Sequence, residues 1–292
     1  MKRLPAIIGL LLAATISCAQ DAPSSLKSTE LAPGIYGLEG DGVFAGGNMS
    51  ILVGDDYNIL IDDGTLPFAP ALLEAATSLA GGPIDFVINT HVHGDHVGGN
   101  AALADAGAVV YAHDNIRKRL LDNEDEAGGS GGLPVITFSD KVTFHVNDLE
   151  AFVFHVEHAH TDGDAIIEFR GRNVIHAGDV HFNYVFPFID LDNGGSVAGF
   201  IAAQQQILAM SDDDTVIVPG HGKIIASKAD LQAAVDMLVD AEARIEALVL
   251  EGKTEAEVLA ANPLSIYHET WNWNFITTER MTETLYRSLT SE

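Results

Sequence analysis

The stretch INTHVHGDHVGGN, residues 88–100, places His91, His93, Asp95 and His96 close together, directly after the apolar run IDFVIN at 84–89. A short apolar run of that kind reads as a buried strand, so the cluster sits on a loop leaving a sheet. In a chain whose formal charge is already −27, such a cluster is either a solvated loop or a place where something positive must sit. Two histidines at i and i+2 on an extended loop can face one ion, with nitrogen ligands about 2 Å from it. His91 and His93 have that spacing. Asp95 and His96 come one turn later and point elsewhere, so one ion leaves one or both idle, whereas two ions use all four.

Further ligands must then arrive from later strand ends. His160 in HAHTDGD, Asp179 in HAGDVHF and His221 in VPGHG each lie just past a strand-like run. His158 is the rival to His160 within the same motif.

Around these positions short strands alternate with helices. Residues 48–64 read as a hairpin, 70–80 as a helix stopped by Gly81 and Gly82, and 108–112 as a strand between helices at 99–106 and 114–122. The polar, glycine-rich segment 123–132 reads as a mobile loop. Residues 135–180 are strand-rich and are followed by a helix at 197–210 and a strand at 215–222. Ser227 and Asp230 have capping-box spacing, and Leu231, Val235, Leu238, Ile245 and Leu248 form one apolar face behind them. One α/β domain, sheets inside and helices outside, with a helical tail, accounts for this order.

At HVHGDH the chain resembles the metallo-β-lactamase superfamily, through LIDDG (60–64), HTDGD (160–164), GDVHF (178–182) and PGHG (219–222) as well. The resemblance implies an α/β fold, the four-layer αββα sandwich, over residues 30–226, with 227–292 as a helical extension packed on it. It also implies two Zn(2+) ions. One is held by His91, His93 and His160, the other by Asp95, His96 and His221, with Asp179 bridging. Asp62 matches the position that accepts a hydrogen bond from a ligating histidine, and Asp63 is expected to face solvent. No G-x-S-x-G motif is present, so the nucleophile is expected to be a metal-held hydroxide, with Asp95 orienting it and passing its proton on. His181, two positions after Asp179, is expected on the pocket rim as a substrate contact or proton donor. Phe188 is expected to be buried, Tyr184 and Phe186 are open between packing and walling a cleft, and Trp271 and Trp273 are expected to pack.

Within that superfamily, the commonest β-lactamases carry cysteine where Asp179 stands and a substrate-gripping lysine where Phe182 stands. The bridging aspartate resembles glyoxalase II and lactonase-type members. The leading expectation is therefore a hydrolase of a small-molecule ester, lactone, thioester or amide. A β-lactamase, a mononuclear iron sulfur dioxygenase and a non-catalytic periplasmic accessory are the alternatives. A surface this acidic disfavours nucleic acid.

The first residues follow a different plan. Lys2 and Arg3 precede an apolar run from Leu4 to Ile16 that is too short for a membrane span, and small residues follow, as in a secretory signal over 1–19. Ser17-Cys18-Ala19 suits ordinary cleavage, and Thr15-Ile16-Ser17-Cys18 equally resembles a bacterial lipobox that would put a lipid anchor on Cys18. Export to the periplasm is the expectation either way. Cys18 is the only cysteine, so no disulfide is available and packing or metal must supply the stability.

Overall fold

The computed structural model describes residues 26–291, and the expected signal segment lies outside them. Two sheets face each other. The first runs in spatial order through β1 (Leu26–Ala32), β2 (Ile35–Gly40), β3 (Met49–Leu52), β4 (Ile59–Ile61), β5 (Phe86–Ile88), β6 (Val109–His113) and β7 (Ile136–Phe138). Its first four strands are antiparallel, and β4 to β7 are parallel. The second holds β8 (Lys141–Val146), β9 (Leu149–His155), β10 (Ala165–Arg170), β11 (Val174–Asn183) and β12 (Val216–Gly222), antiparallel except for the β11–β12 pair.

Parallel neighbours require crossovers, and helices supply them: α1 (Ala69–Ala80), α2 (Gly94–Val97), α3 (Asn100–Asp105) and α4 (Asp114–Asp122). After the second sheet's antiparallel run come α5 (Val197–Met210) and α6 (Lys228–Leu250). The chain closes with α7 (Glu255–Ala261), α8 (His268–Trp271) and α9 (Thr278–Thr290). Ser227 and Asp230 form the expected capping box at the start of α6.

The burial pattern explains why the central strands carry no polar alternation. Ile59, Ile61, Ile88 and Tyr111 of the first sheet meet Val153, Ile167, Phe169 and Val218 of the second in one core. The opposite face of the first sheet, with Ile51, Leu60 and Val87, is covered by Leu72 and Ala76 of α1 and Leu103 of α3. On the far side Ile166, Ile175 and Ile217 pack against Ile207 of α5 and Leu231 and Val235 of α6. Strands buried on both faces read as continuous apolar runs, and the result is a helix–sheet–sheet–helix stack. The closing helices bring Val258, Trp271, Met281 and Leu285 onto Phe182, Phe186 and Phe200. No helix among the described residues is long and apolar enough to cross a membrane.

Two expectations are corrected here. Segment 123–132 is not a free loop: it forms two short 3-10 turns with Ala127 and Gly132 buried. His181 is not on a rim. It is fully buried in β11, neither ring nitrogen has a hydrogen-bond partner, and the charge it feels is that of Asp230 in α6. A strand residue that aims inward loses its hydration, and burial pulls the imidazole down to about 4.

That depression has a thermodynamic consequence. Unfolded His181 takes up a proton near the ordinary 6.5 while the folded ring stays neutral until about 4, so its contribution to stability is present at neutral pH and is lost as pH falls through that window. Urea unfolding at pH 7 and pH 4.5 should show a stability loss that is about 2 to 3 kcal/mol smaller in His181→Leu than in the unaltered chain. Equal losses in both would mean that the imidazole titrates normally in the fold.

Candidate metal centre

The site lies where strands of both sheets end. β4 runs into Asp62 and Asp63, β5 into the His91–His96 loop, the β9–β10 connection carries His160, and β11 and β12 carry Asp179 and His221. Asp62 leaves its strand with φ of 59°, a left-handed turn that points its carboxylate back beneath the loop after β5. There it accepts from the Thr90 backbone N–H and Thr90 Oγ1, each at 2.7 Å, and from His96 Nδ1 at 2.7 Å. Asp63, expected to face solvent, is fully buried and accepts from the Gly99 N–H at 2.8 Å, with burial pushing its carboxyl well above the usual range.

The seven candidate ligands come together. His91, His93, His160 and Asp179 form one group whose donor atoms lie within 4.8 Å of one another, and Asp95, His96 and His221 form a second. Asp179 reaches both: Oδ2 lies 3.4 Å from His160 Nε2, 3.7 Å from His91 Nε2 and 3.5 Å from His221 Nε2, while Oδ1 is 3.2 Å from His96 Nε2. Asp95 Oδ2 is 3.3 Å from His221 Nε2. Gly220 makes the approach of β12 to β11 feasible, because a Cβ there would overlap Asp179 Oδ1.

Protons are committed on the outer side of the rings. His93 donates from Nε2 to Asp190 at 2.8 Å, and His160 from Nδ1 to the Phe188 carbonyl at 2.7 Å. His96 donates from Nδ1 to Asp62, and His91 from Nδ1 to Thr90 Oγ1 at 3.0 Å. The inward nitrogens of His91, His93 and His160 therefore present lone pairs. His160 Nε2 and His93 Nδ1 face each other at 2.9 Å with no proton left to share, and His91 Nε2 and Asp179 Oδ1 are buried without a partner. Lone pairs crowded this way repel unless a cation lies among them, and imidazole nitrogens with carboxylate oxygens are what a borderline divalent ion prefers. The residues fit two such ions.

Electrostatics agree. Burial pushes His91 well down and His160 to about 4, so both stay neutral. Burial also opposes charge on His96 and His221, yet Asp179 and Asp95 beside them prevail, lifting His96 well above its ordinary value and His221 to about 9. The carboxylates demand positive charge, and protons on these two rings are what divalent ions would displace. Asp95 is penalised by burial but held at about 2 by His96 and His221, so it is a carboxylate at neutral pH.

Above the donors opens a cleft of about 700 Å³ walled by Phe44, Phe182, Phe188, Trp273 and Phe275, with Glu126 and Asn274 also on its lining. Phe182 stacks on His221 at 5.3 Å, and Phe188 lies 5.6 Å from the His93 ring. Phe188 is thus cleft wall rather than plain packing, and so is Trp273, whereas Phe186 and Trp271 belong to the core. Tyr184 is exposed and His181 does not line the cleft. Asp190 and Glu126 had no sequence signal beyond position, since neither falls in a spaced motif.

A family model described as the metallo-beta-lactamase superfamily matches residues 42–221. The chain is 33% identical over 157 residues to the hydroxyacylglutathione hydrolase of Polaromonas sp. (strain JS666 / ATCC BAA-500), covering 51% of this chain and 53% of that protein. It is 28% identical over 101 residues to the hydroxyacylglutathione hydrolase of Pelagibacter ubique (strain HTCC1062), covering 34% and 37%. The chain therefore spans about half or less of these relatives. Among solved structures, the metallo-beta-lactamase from Pontibacter korlensis superposes with a TM-score of 0.63 at 18% identity, covering 73% of this chain and 99% of that one. VMB-1 at pH 5.5 superposes with a TM-score of 0.61 at 19% identity, covering 75% and 98%. These likenesses show the fold.

Asp62 gives the centre a direct test. In Asp62→Asn the amide can turn its NH₂ towards His96, which favours the tautomer with the proton on Nε2 and removes that inward lone pair. Competition titrations against a chelator should show added zinc bound about 10- to 100-fold less tightly than by the unaltered chain. Unchanged affinities would mean that Asp62 does not set the His96 tautomer.

Proposed function

The chain belongs to the metallo-beta-lactamase superfamily, and from that premise we propose that it is an exported hydrolase that uses two zinc ions to cleave an ester, lactone, thioester or amide. The observation that carries this reading is the convergence of the two donor groups on Asp179 at the floor of the aromatic cleft. The hydrolase relatives support the thioester end of the range.

His91, His93 and His160 with Asp179 would hold one ion, and Asp95, His96 and His221 with Asp179 the other. Such ions supply a Lewis acid for the carbonyl and lower the pKa of water towards about 7. The chain's own residues do the positioning. Asp95, unprotonated at neutral pH, accepts a hydrogen bond from the attacking water and sets its direction. Asp190, Thr90, Asp62 and the Phe188 carbonyl keep each imidazole proton turned outward. Asp179, 5% exposed beneath the aromatic walls, sits in a low-dielectric setting that strengthens its charge interactions. Asp95, on the cleft lining, would take the proton released from the water and pass it to the departing oxygen, nitrogen or sulfur.

Loss of the shared ligand tests the reading. Asp179→Ala should lower the zinc content below two equivalents and abolish turnover across a panel of lactones, thioesters, aryl esters and β-lactams. Full activity with two zinc ions retained would refute it, and one tightly bound iron in the unaltered protein would favour the oxygenase.

Export rests on the sequence of the first 19 residues. Mass spectrometry of cell fractions should find no intact Met1 terminus: a lipid adduct on Cys18 would identify a lipoprotein, and a soluble chain starting at Gln20 an ordinary secreted one. A full-length chain retained in the cytoplasm would overturn the proposal.

A further inference from the structure

The chemistry of the cleft is lopsided. Its walls are aromatic and its floor is acidic, and none of the described residues lining it is a lysine or arginine. Two divalent ions on the floor would more than balance Asp95 and Asp179, and Glu126 is the one carboxylate on the described lining that neither ligand group uses. Its place is built rather than accidental. Glu126 accepts from Asn123 Nδ2 at 3.2 Å, and its carboxylate rests over Gly94, where a Cβ would overlap Oε2. The glycine of the HVHGDH motif is thereby the seat of this carboxylate, next in sequence to His93 and Asp95.

Arg280 is the cation nearest the walls, and it does not neutralise the cleft from inside. Its guanidinium lies over the rings of Phe275 and Phe188, 4.4 Å and 5.3 Å from their centroids, and donates to the Phe275 carbonyl. It lines a separate hollow that it shares with Asp190, Glu255 and Glu283.

Resting on the hydrolase reading above, we propose that the cleft selects substrates carrying an organic cation, an amine or quaternary ammonium group, beside an apolar body, with Glu126 as the residue that recognises the cation. Ring faces attract organic cations through their quadrupoles, and Phe44, which is 65% exposed, and Trp273 offer such rings on the lining that Glu126 shares. A net charge of −27 also draws cations towards the molecule and repels anions at long range. A carboxylate-bearing substrate, by contrast, meets Glu126 and finds no lysine or arginine on the described lining, which leaves it only the ions that the reaction itself needs. Because Glu126 is exposed to solvent, the discrimination is modest, about five- to tenfold in kcat/KM.

The experiment uses zinc-loaded full chain and benzoate esters of alcohols matched in length, ending in trimethylammonium, tert-butyl or carboxylate. The expected order is cation above neutral above anion, read mainly in KM, with the cation-to-neutral ratio falling to about twofold in Glu126→Gln and inverting in Glu126→Lys. Fluorescence titration of the tryptophans with benzyltrimethylammonium and with its neutral isostere neopentylbenzene gives a readout that needs no turnover: the cation should bind more tightly, and Glu126→Gln should weaken it. Equal kcat/KM for the three esters, or a ratio unmoved by Glu126→Gln, overturns the proposal. Should none of these esters be cleaved, the binding titration alone decides whether the cleft holds a cation, and the panel of lactones, thioesters, aryl esters and β-lactams decides the hydrolase reading separately.

Discussion

Crowded lone pairs are the constraint on which the rest of the structure turns. Burying a polar atom without a partner costs about 1 to 3 kcal/mol, and here His91 Nε2 and Asp179 Oδ1 are both left so. Between His160 and His93 two acceptor nitrogens stand at 2.9 Å. No packing of apolar residues relieves that repulsion; a cation does. The surrounding hydrogen bonds make the demand permanent, since Asp62, Asp190, Thr90 and the Phe188 carbonyl hold the ring protons on the far side.

Two sheets are needed to hold such a cluster, because each supplies only part of it. Asp62 and the His91–His96 loop follow strands of the first sheet, while Asp179 and His221 belong to the second. Their separation is set by contacts between the sheets. Asn48, ahead of β3, donates from its backbone to the Gly220 carbonyl at 2.7 Å and from its side chain to the Pro219 carbonyl at 2.9 Å. Ser50 Oγ meets His176 Nδ1 at 2.8 Å in the interior. These polar bonds through an otherwise apolar core fix β12 against β3, and with it His221 against His96, at a geometry that hydrophobic packing alone would leave loose.

The layered fold was legible because strands buried on both faces leave uninterrupted apolar runs, and because catalytic and ligating residues gather at strand ends. IDFVIN followed by HVHGDH carries both signals in one stretch. What escaped was direction. Asp62 and Asp63 are adjacent acids after the same strand; the left-handed turn at Asp62 buries both, and no periodicity announces a turn of that kind. His181 has the sequence position of a rim residue but faces the interior, because β11 is irregular between Gly178 and Phe182 and alternation cannot be counted through a register shift. Glu126 was hidden for a third reason. Its segment has the composition of a free loop, yet two short turns anchor it on buried Ala127 and Gly132.

The metal-ligand candidates all fall within one stretch of the chain, whereas the cleft wall draws on two. The family match ends at residue 221, with the last of the metal-ligand candidates. Trp273 and Phe275 come from the far end, carried into place by the docking of α8 and α9 on Phe186 and Phe200. Trp273 donates from Nε1 to the Phe186 carbonyl at 2.9 Å, so the wall is tied to the loop that also bears Phe188. The cleft thus joins Phe44, Glu126, Phe182 and Phe188 from the matched stretch to Trp273 and Phe275 from beyond it, so the family likeness spans every metal-ligand candidate but only part of the wall. A shared fold fixes where the donors meet, and the choice of substrate has to be argued from the side chains around them.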